Sequence, residues 1–426
     1  MNVKITKKIL DVLLNHLFLV CLCFLFVSCG KQDGTAKLWT DRPEFAFYAQ
    51  YFNSSQNKYK IEVRQFDALA QSLLVSKERP DIIVGSWLKS SKTISRFKSL
   101  NEIIRKNNSL KKKIYESLLN IGKVGKRQLL LPVSFDLPLI IFSEENSHLV
   151  KDNFLIDIRE VKTLGLDFNK KTNDVFTHKG FSPLWNNDFL FETARMMGAG
   201  FQEANPVEWN KEYLASSIDF LKDWIDNVNG GVVQEDEFFY KYFFNPPEKL
   251  IQQGRILFAY MRSTDFFNKT EQHTNMDFRL LSDEKIIPVY EGAVYYGLDK
   301  KSKGAKACEA FTLWFFKEST QELLLEESRK LHLNDTSFGI AGGYSAMRTV
   351  TENIFPRFYP ELLGHLPPQE YLMPSKIKPL NWNELKERVI IPYIREECRG
   401  AQTSSTAALD QAVSEWIRTT TSEFVK

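Results

Sequence analysis

Apolar and polar positions along the chain fall into blocks that switch between period two and period 3.6. Lys37-Leu38-Trp39-Thr40 reads as a short strand. Asp41-Arg42-Pro43-Glu44 then starts a helix, with proline in the first turn and acids at the positive dipole end. Phe45, Tyr48, Ala49 and Phe52 give that helix one apolar face. Tyr59, Ile61 and Val63 alternate as a second strand, and Leu69, Leu73 and Leu74 mark a second helix. Arg79 to Trp87 predicts a turn, a buried third strand and a polar loop. Strands alternating with helices predict an α/β fold with a parallel sheet, in which ligands bind beyond the carboxyl ends of the strands. Trp39, Asp41, Ser86 and Trp87 fall there.

Leu131 to Phe142 is apolar enough for a buried strand, yet Pro132, Pro138 and Asp136 interrupt it. Two readings follow: an edge strand whose Asp136 meets water, or a stiffened crossing between two bodies with Ser134 and Asp136 on its cleft side. Phe181 to Asp188 predicts a loop, followed by a helix carrying Phe189, Phe191, Ala194 and Met197; Leu214 to Trp224 predicts another, stopped at Asn229-Gly230-Gly231. In the run Phe238 to Phe244, the helical spacing of Phe239, Tyr242 and Phe243 predicts a core face rather than a partner patch. Ile286 to Leu298 reads as a return crossing, with Pro288 early, a kink at Glu291-Gly292, and Tyr290, Tyr295 and Tyr296 as flat faces. Ser337 to Ala346, rich in glycine, reads as a mobile loop, and Thr406 to Arg418 as a closing helix packing Leu409, Ala412, Val413 and Trp416. No dinucleotide fingerprint surrounds Gly339, Gly342 and Gly343.

The chain opens with Lys4, Lys7 and Lys8 and an apolar run from Leu17 to Val27, too short to span a bilayer and laid out like an export signal. Leu25-Phe26-Val27-Ser28-Cys29 resembles a bacterial lipobox, which implies a signal over residues 1–28, lipidation of Cys29 and a polar leash over 29–36. The bulk of the chain is then extracytoplasmic. The whole chain carries +3, and residues 1–28 hold three lysines and Asp11, so the remainder carries +1, which argues against a nucleic-acid partner. The basic run Arg105 to Lys113 reads as the solvated side of a helix whose apolar side is Ile103, Ile104, Leu110 and Ile114. Of five cysteines only Cys308 and Cys398 follow the signal and the lipidation site, too few for a disulfide framework. Cys308 shares a helical face with Phe311 and Phe315, as a reduced core thiol would; a bridge to Cys398 stays open. The remaining length suits two domains.

The order Leu38-Trp39-Thr40-Asp41, Pro80 to Ser86, Leu131 to Asp136, Gln253 to Tyr260 and Gly342 to Ala346 resembles the extracellular solute-binding proteins of ABC importers, in the large sugar-binding group that includes the maltose-binding protein. That resemblance implies two lobes, each a mainly parallel sheet flanked by helices. Lobe 1 would comprise 37–133 and 289–342, and lobe 2 would comprise 138–286 and 345–426, joined by crossings of which Ser337 to Ala346 is the third. It implies a monomeric receptor without a cofactor, tethered to a membrane by its lipid, that closes by hinge bending on a carbohydrate and delivers it to an ABC permease. The implied ligand-binding residues are Asp41, Ser86, Trp87, Asp136, Trp185, Tyr260, Arg262, Tyr290, Gly343 and Trp382. Asp41-Arg42 departs from the acid-lysine pattern of the maltose-binding group.

Side-chain chemistry agrees with binding. Flat aromatics stack on the C–H faces of a pyranose, and carboxylates accept strong hydrogen bonds from hydroxyls. Catalytic motifs are missing: no histidine pair at metal spacing, no Cys-x-x-Cys, no nucleophile elbow and no phosphate loop. Two alternatives remain: a binding lipoprotein with another ligand or an adhesive role, and a surface glycosidase using Asp41 and Asp136 as its carboxylate pair.

Overall fold

The computed structural model describes residues 34–107, 109–204, 207–269, 273–400 and 406–423, so the export signal, Cys29 and most of the leash lie outside it. The strands that position the site are, in chain order, β1 (Thr35–Thr40), β2 (Lys60–Gln65), β3 (Ile82–Gly85), β4 (Leu130–Phe135), β5 (Pro138–Ser143) and β6 (Leu155–Asp157). They continue with β7 (Ala259–Arg262), β8 (Met276–Ser282), β9 (Ile287–Pro288), β10 (Val294–Leu298), β11 (Tyr344–Ser345) and β12 (Leu372–Met373).

Two sheets define two lobes. The first has the order β11-β4-β10-β3-β1-β2 and the second β7-β5-β8-β6. The predicted two-lobed α/β arrangement is present, but the sheets are mixed rather than mainly parallel. β1 pairs in parallel with β2 and β3, as strand–helix–strand units require. β10 and β11 arrive from elsewhere in the chain and pair antiparallel with their neighbours, and β5 pairs antiparallel with both β7 and β8.

The stretch around Asp136 is the first crossing. β4 lies inside the first sheet with all six residues buried, β5 lies inside the second, and only Asp136 and Leu137 separate them. The edge-strand reading therefore fails. Pro132, which has no N–H to give, sits where the β4–β10 register shifts, so the missing donor falls at an irregularity in the ladder. Leu131, Val133, Phe135, Leu137, Leu139 and Ile141 share one apolar cluster that runs through the crossing, while Ile140 and Phe142 face the second lobe's own core. Ser134 donates to the carbonyl of Ala341 and has no cleft role.

The second crossing runs from β8 through β9 to β10. The third does not lie at Ser337 to Ala346. That segment is packed rather than mobile: Phe338, Ile340, Ala341 and Tyr344 are fully buried, and β11 belongs to the first sheet. Its glycines serve close approach, since a Cβ on Gly343 would stand 2.5 Å from the carbonyl oxygen of Phe135. The chain instead stays with lobe 1 past Met347, which bridges to Ile114. It returns to lobe 2 through β12, which runs parallel to β9, and Pro374 to Leu380. The lobe boundary predicted at 342–345 moves accordingly.

The basic run Arg105 to Lys113 breaks into two short helices, Asn101–Lys106 and Leu110–Lys113, with Ile103, Ile104 and Leu110 inward and the charges outward. Cys308 and Cys398 are both free and buried, in separate apolar clusters, so they do not pair. Burial pushes the Cys308 thiol up to about 11 and the Cys398 thiol to about 12. Neither is expected to react with an aromatic disulfide reagent until the chain unfolds, and reductant should leave the melting temperature unchanged. Fast labelling of either thiol in the native protein would contradict this. No helix among the described residues is long and apolar enough to cross a membrane.

Candidate functional site

Because β1 and β3 run parallel, their carboxyl ends open on the same edge of lobe 1. Asp41 follows β1, Ser86 and Trp87 follow β3, and they form one network. The Ser86 N–H donates to Asp41 Oδ2 at 2.9 Å, and Arg42 Nη2 donates to Ser86 Oγ at 2.5 Å. Ser86 Oγ in turn donates to the Gly292 carbonyl at 2.7 Å, which ties this rim to the second crossing. Arg42 Nε stands 3.3 Å from Asp41 Oδ1. Burial raises the Asp41 carboxyl above its ordinary range despite Arg42. Asp41 Oδ1 has its ion pair with Arg42 but no hydrogen bond, and Glu44 Oε2 is buried without a hydrogen-bond partner among the described residues.

Trp87 holds a left-handed backbone at φ 63°, a costly conformation for a large residue. Its indole lies against Gly292, where a Cβ would come within 3.2 Å of the ring and where φ is 80°. Trp87 also packs on the core of lobe 2, and the N–H and hydroxyl of Ser91 donate to the Glu203 carboxylate at 2.8 and 2.9 Å. The lobes thus touch across this rim. A small cavity of about 60 Å³ remains between Trp87, Tyr290, Gly292 and the third crossing, Pro374 to Lys378.

On the lobe 2 side, Arg262 ends β7 and lies over the Tyr290 ring at 4.2 Å, while the Tyr260 and Tyr290 hydroxyls bond to each other. Beyond Tyr260 opens a cavity of about 420 Å³ bounded by Phe181, Trp185, Phe238, Phe239, Tyr242 and Phe243. Pro183 starts the short turn Pro183–Trp185, and Asn186 caps the next helix by accepting from the Phe189 N–H at 3.1 Å. This geometry stacks Trp185 on Phe238, with centroids 5.7 Å apart and planes 19° apart. Trp185 Nε1 is buried with no acceptor among the described residues. Beneath, Lys179 donates to the Asn229 carbonyl at 2.9 Å, and Glu235 accepts from Asn229 Nδ2 at 2.6 Å and from the Ser182 hydroxyl. Burial lowers the Lys179 ammonium to about 8 and raises the Glu235 carboxyl to about 6, and the network fastens the Trp185 turn to the helix that carries Phe238.

The structure thus brings Asp41, Ser86 and Trp87 together, sets Trp87 and Tyr290 on one small cavity, and sets Trp185 and Tyr260 on a larger one. Three residues predicted to bind ligand are placed otherwise. Trp382 is fully buried between Phe191 and Phe201, and its indole N–H donates to Glu291 at 2.5 Å. Gly343 is covered by β4. Asp136 is spent on protein donors: Leu137 N–H at 2.9 Å, Thr264 N–H at 3.0 Å, Thr264 Oγ1 at 2.8 Å, Arg262 Nε at 2.9 Å and the Ser263 hydroxyl. It is therefore not set up as an acid or base. The aromatic run was also misjudged. Phe238 alone of it is core, while Phe239, Phe243 and Phe244 are 38%, 57% and 94% exposed and line the cavity. The helix Val232–Lys241 stops before Tyr242, so the spacing does not continue as one face through Phe243; the available signal was Pro246-Pro247 shortly after the run, where a helix cannot run on.

No family model matches the chain, and no curated protein matches it in sequence. Solved structures do match. An ABC substrate-binding protein from Listeria monocytogenes in complex with cycloalternan is similar with a TM-score of 0.58 at 11% identity, over 91% of this chain and 98% of that one. The cyclic α-maltosyl-1,6-maltose binding protein of Arthrobacter globiformis gives 0.60 at 15% identity, over 89% and 97%. The maltotriose binding protein of Thermus thermophilus gives 0.55 at 10% identity, over 89% and 98%. The fold is that of the sugar-binding proteins of ABC importers. At these identities the likeness is one of two-lobed architecture.

Proposed function

We propose that the chain is a substrate-binding lipoprotein, held at the outer side of a membrane through Cys29, that closes on an oligosaccharide between its lobes and passes it to a membrane permease. The observation that carries the reading is the Trp185–Phe238 platform in a cavity of about 420 Å³, open next to Tyr260 and Arg262 at the end of β7. Such a surface packs the apolar faces of sugar rings, and we assign the polar contacts to Arg262, two residues beyond Tyr260 on β7, and to the Asp41–Ser86 rim of lobe 1. The structural neighbours named above bind cycloalternan, cyclic α-maltosyl-1,6-maltose or maltotriose, which supports an oligosaccharide ligand here. Binding rather than turnover fits the fully engaged oxygens of Asp136.

Closure is a population shift driven by contacts to both lobes, with Asp41, Ser86 and Trp87 from one and Trp185, Tyr260 and Arg262 from the other. Calorimetry and small-angle scattering across linear and cyclic gluco- and manno-oligosaccharides test this. Heat of binding with a fall in radius of gyration is expected for at least one, and neither with any of them would refute the reading. Trp185→Ala should weaken that binding by about tenfold to a hundredfold, the range for truncating a stacked aromatic anchor, with the melting temperature little changed because Trp185 is only half-buried.

A further inference from the structure

At the opposite end of lobe 1, where β1 and β3 begin, lies a second sizeable cavity of about 510 Å³ lined by Thr35, Lys37, Arg79, Asp81, Lys301 and Lys303. Lys37, Lys301 and Lys303 are exposed, as is Lys300 beside them, and no ion pair engages any of the four among the described residues. The neighbouring acids are already committed. Asp81 accepts from the backbone N–H groups of Lys37, Lys303 and Gly304 and from the Ser302 hydroxyl. Asp299 is fully buried between Arg79 at 3.1 Å and Arg96 at 3.6 Å. Glu62, opposite Lys37 in the β1–β2 register, pairs with Lys60 at 3.0 Å. In a chain whose exported part is nearly neutral, this end is a concentrated cationic face.

Its position gives it a partner. Gly34, the first described residue, leads straight into β1, and five residues of chain from Cys29 reach at most about 18 Å. We propose that this lysine-lined face docks on anionic lipid headgroups, as a second membrane signal beside the acyl group; the inference rests on the lipid-anchored reading above. An acyl chain fixes distance but leaves orientation free. A basic patch that touches the surface supplies orientation, each lysine being worth about a fivefold factor in surface association, and the contact is released by salt. With β1 standing away from the membrane, the Asp41–Trp87 rim is held about 20 Å further out, the length of a six-residue strand, and faces arriving solute.

The test uses the full acylated protein on vesicles of phosphatidylcholine with and without phosphatidylglycerol, reading lysine acetylation by mass spectrometry. Labelling of Lys37, Lys300, Lys301 and Lys303 should fall about fivefold or more on the anionic vesicles, recover in high salt, and stay high on neutral ones. Lys111 and Lys112, on another part of lobe 1, should not change. Equal labelling on both vesicles, or protection that ignores salt, overturns the proposal. The combined variant Lys37→Glu, Lys301→Glu and Lys303→Glu should abolish the protection of Lys300, and protection that persists in it also overturns the proposal. Intact mass judges the anchor separately: a chain without an acyl group on Cys29 overturns that reading, and its labelling on anionic vesicles still decides whether this face binds them.

Discussion

Glu291→Gln is expected to lower the unfolding free energy by about 3–5 kcal/mol, the cost of removing one partner from a buried ionic cluster, as read by urea unfolding. Glu291 sits on the second crossing with its side chain 4% exposed. Lys378 of the third crossing reaches it at 3.1 Å, Trp382 of lobe 2 donates to it at 2.5 Å, and Lys386 lies 4.0 Å away. The adjacent buried pair Arg195–Glu192 is fixed to the same crossing by a bond from Arg195 to the Val289 carbonyl at 3.0 Å. One carboxylate thus joins both return crossings to the helices of lobe 2. Burial lowers the Lys378 ammonium to about 8 even with Glu291 present, so without Glu291 that charge loses its ion-pair partner and keeps only the weaker pull of Glu192. Lys378→Met in the Glu291→Gln background should recover most of the loss. The pH dependence has a definite sign. Burial works against the Glu291 charge, but Lys378 and its neighbours hold the carboxyl below its ordinary 4.5, so its contribution is complete above that value and lost as the pH falls through the folded-state pKa. The Gln variant should therefore show a shallower loss of stability on acidification. Wild-type stability in the variant at neutral pH would show that the cluster holds nothing.

The alternating strand and helix patterns through Trp87, and the crossing character of Leu131 to Phe142, were legible because period and proline placement are local properties. The direction of strand pairing was not, since β10 and β11 reach the first sheet only after the chain has visited the other lobe. Glycine misled at Ser337 to Ala346: the same residue that permits mobility also permits two backbones to touch, and only the neighbour, Phe135, decides which. Trp382 misled for a similar reason. An indole suits a sugar face or a core equally well, and the choice turned on Glu291, ninety-one residues away in sequence, needing a donor. Phe243 keeps helical spacing yet lies beyond the helix, which ends at Lys241, while Phe239, inside it, stays partly exposed on the cavity. Asp41, Ser86 and Trp87 were placed together because the ends of parallel strands share an edge whatever the rest of the chain does.

Asp136 separates a ligand-holding carboxylate from a structural one. In Asp136→Asn, Oδ1 faces Leu137 N–H, Thr264 N–H and the Ser263 hydroxyl, and Oδ2 faces Arg262 Nε and Thr264 Oγ1, so an amide group in either orientation points its hydrogens at donors. The expected cost is about 2–3 kcal/mol. Asp136→Ala should cost about 3–4 kcal/mol, because buried donors at the end of β4 and the start of the helix Ser263–Phe267 lose their acceptor. The Arg262 ion pair adds little to that figure, since its side chain is 40% exposed and can turn to water. A carboxylate that served only a sugar hydroxyl would behave in the opposite way: its Asn variant would keep its stability and lose affinity. Urea unfolding and oligosaccharide calorimetry on the same two variants tell these apart. Lost stability, with affinity reduced only as far as the folded fraction falls, is the result expected of a residue that locks the first crossing to β7. Unchanged unfolding with lost binding would return Asp136 to the cleft.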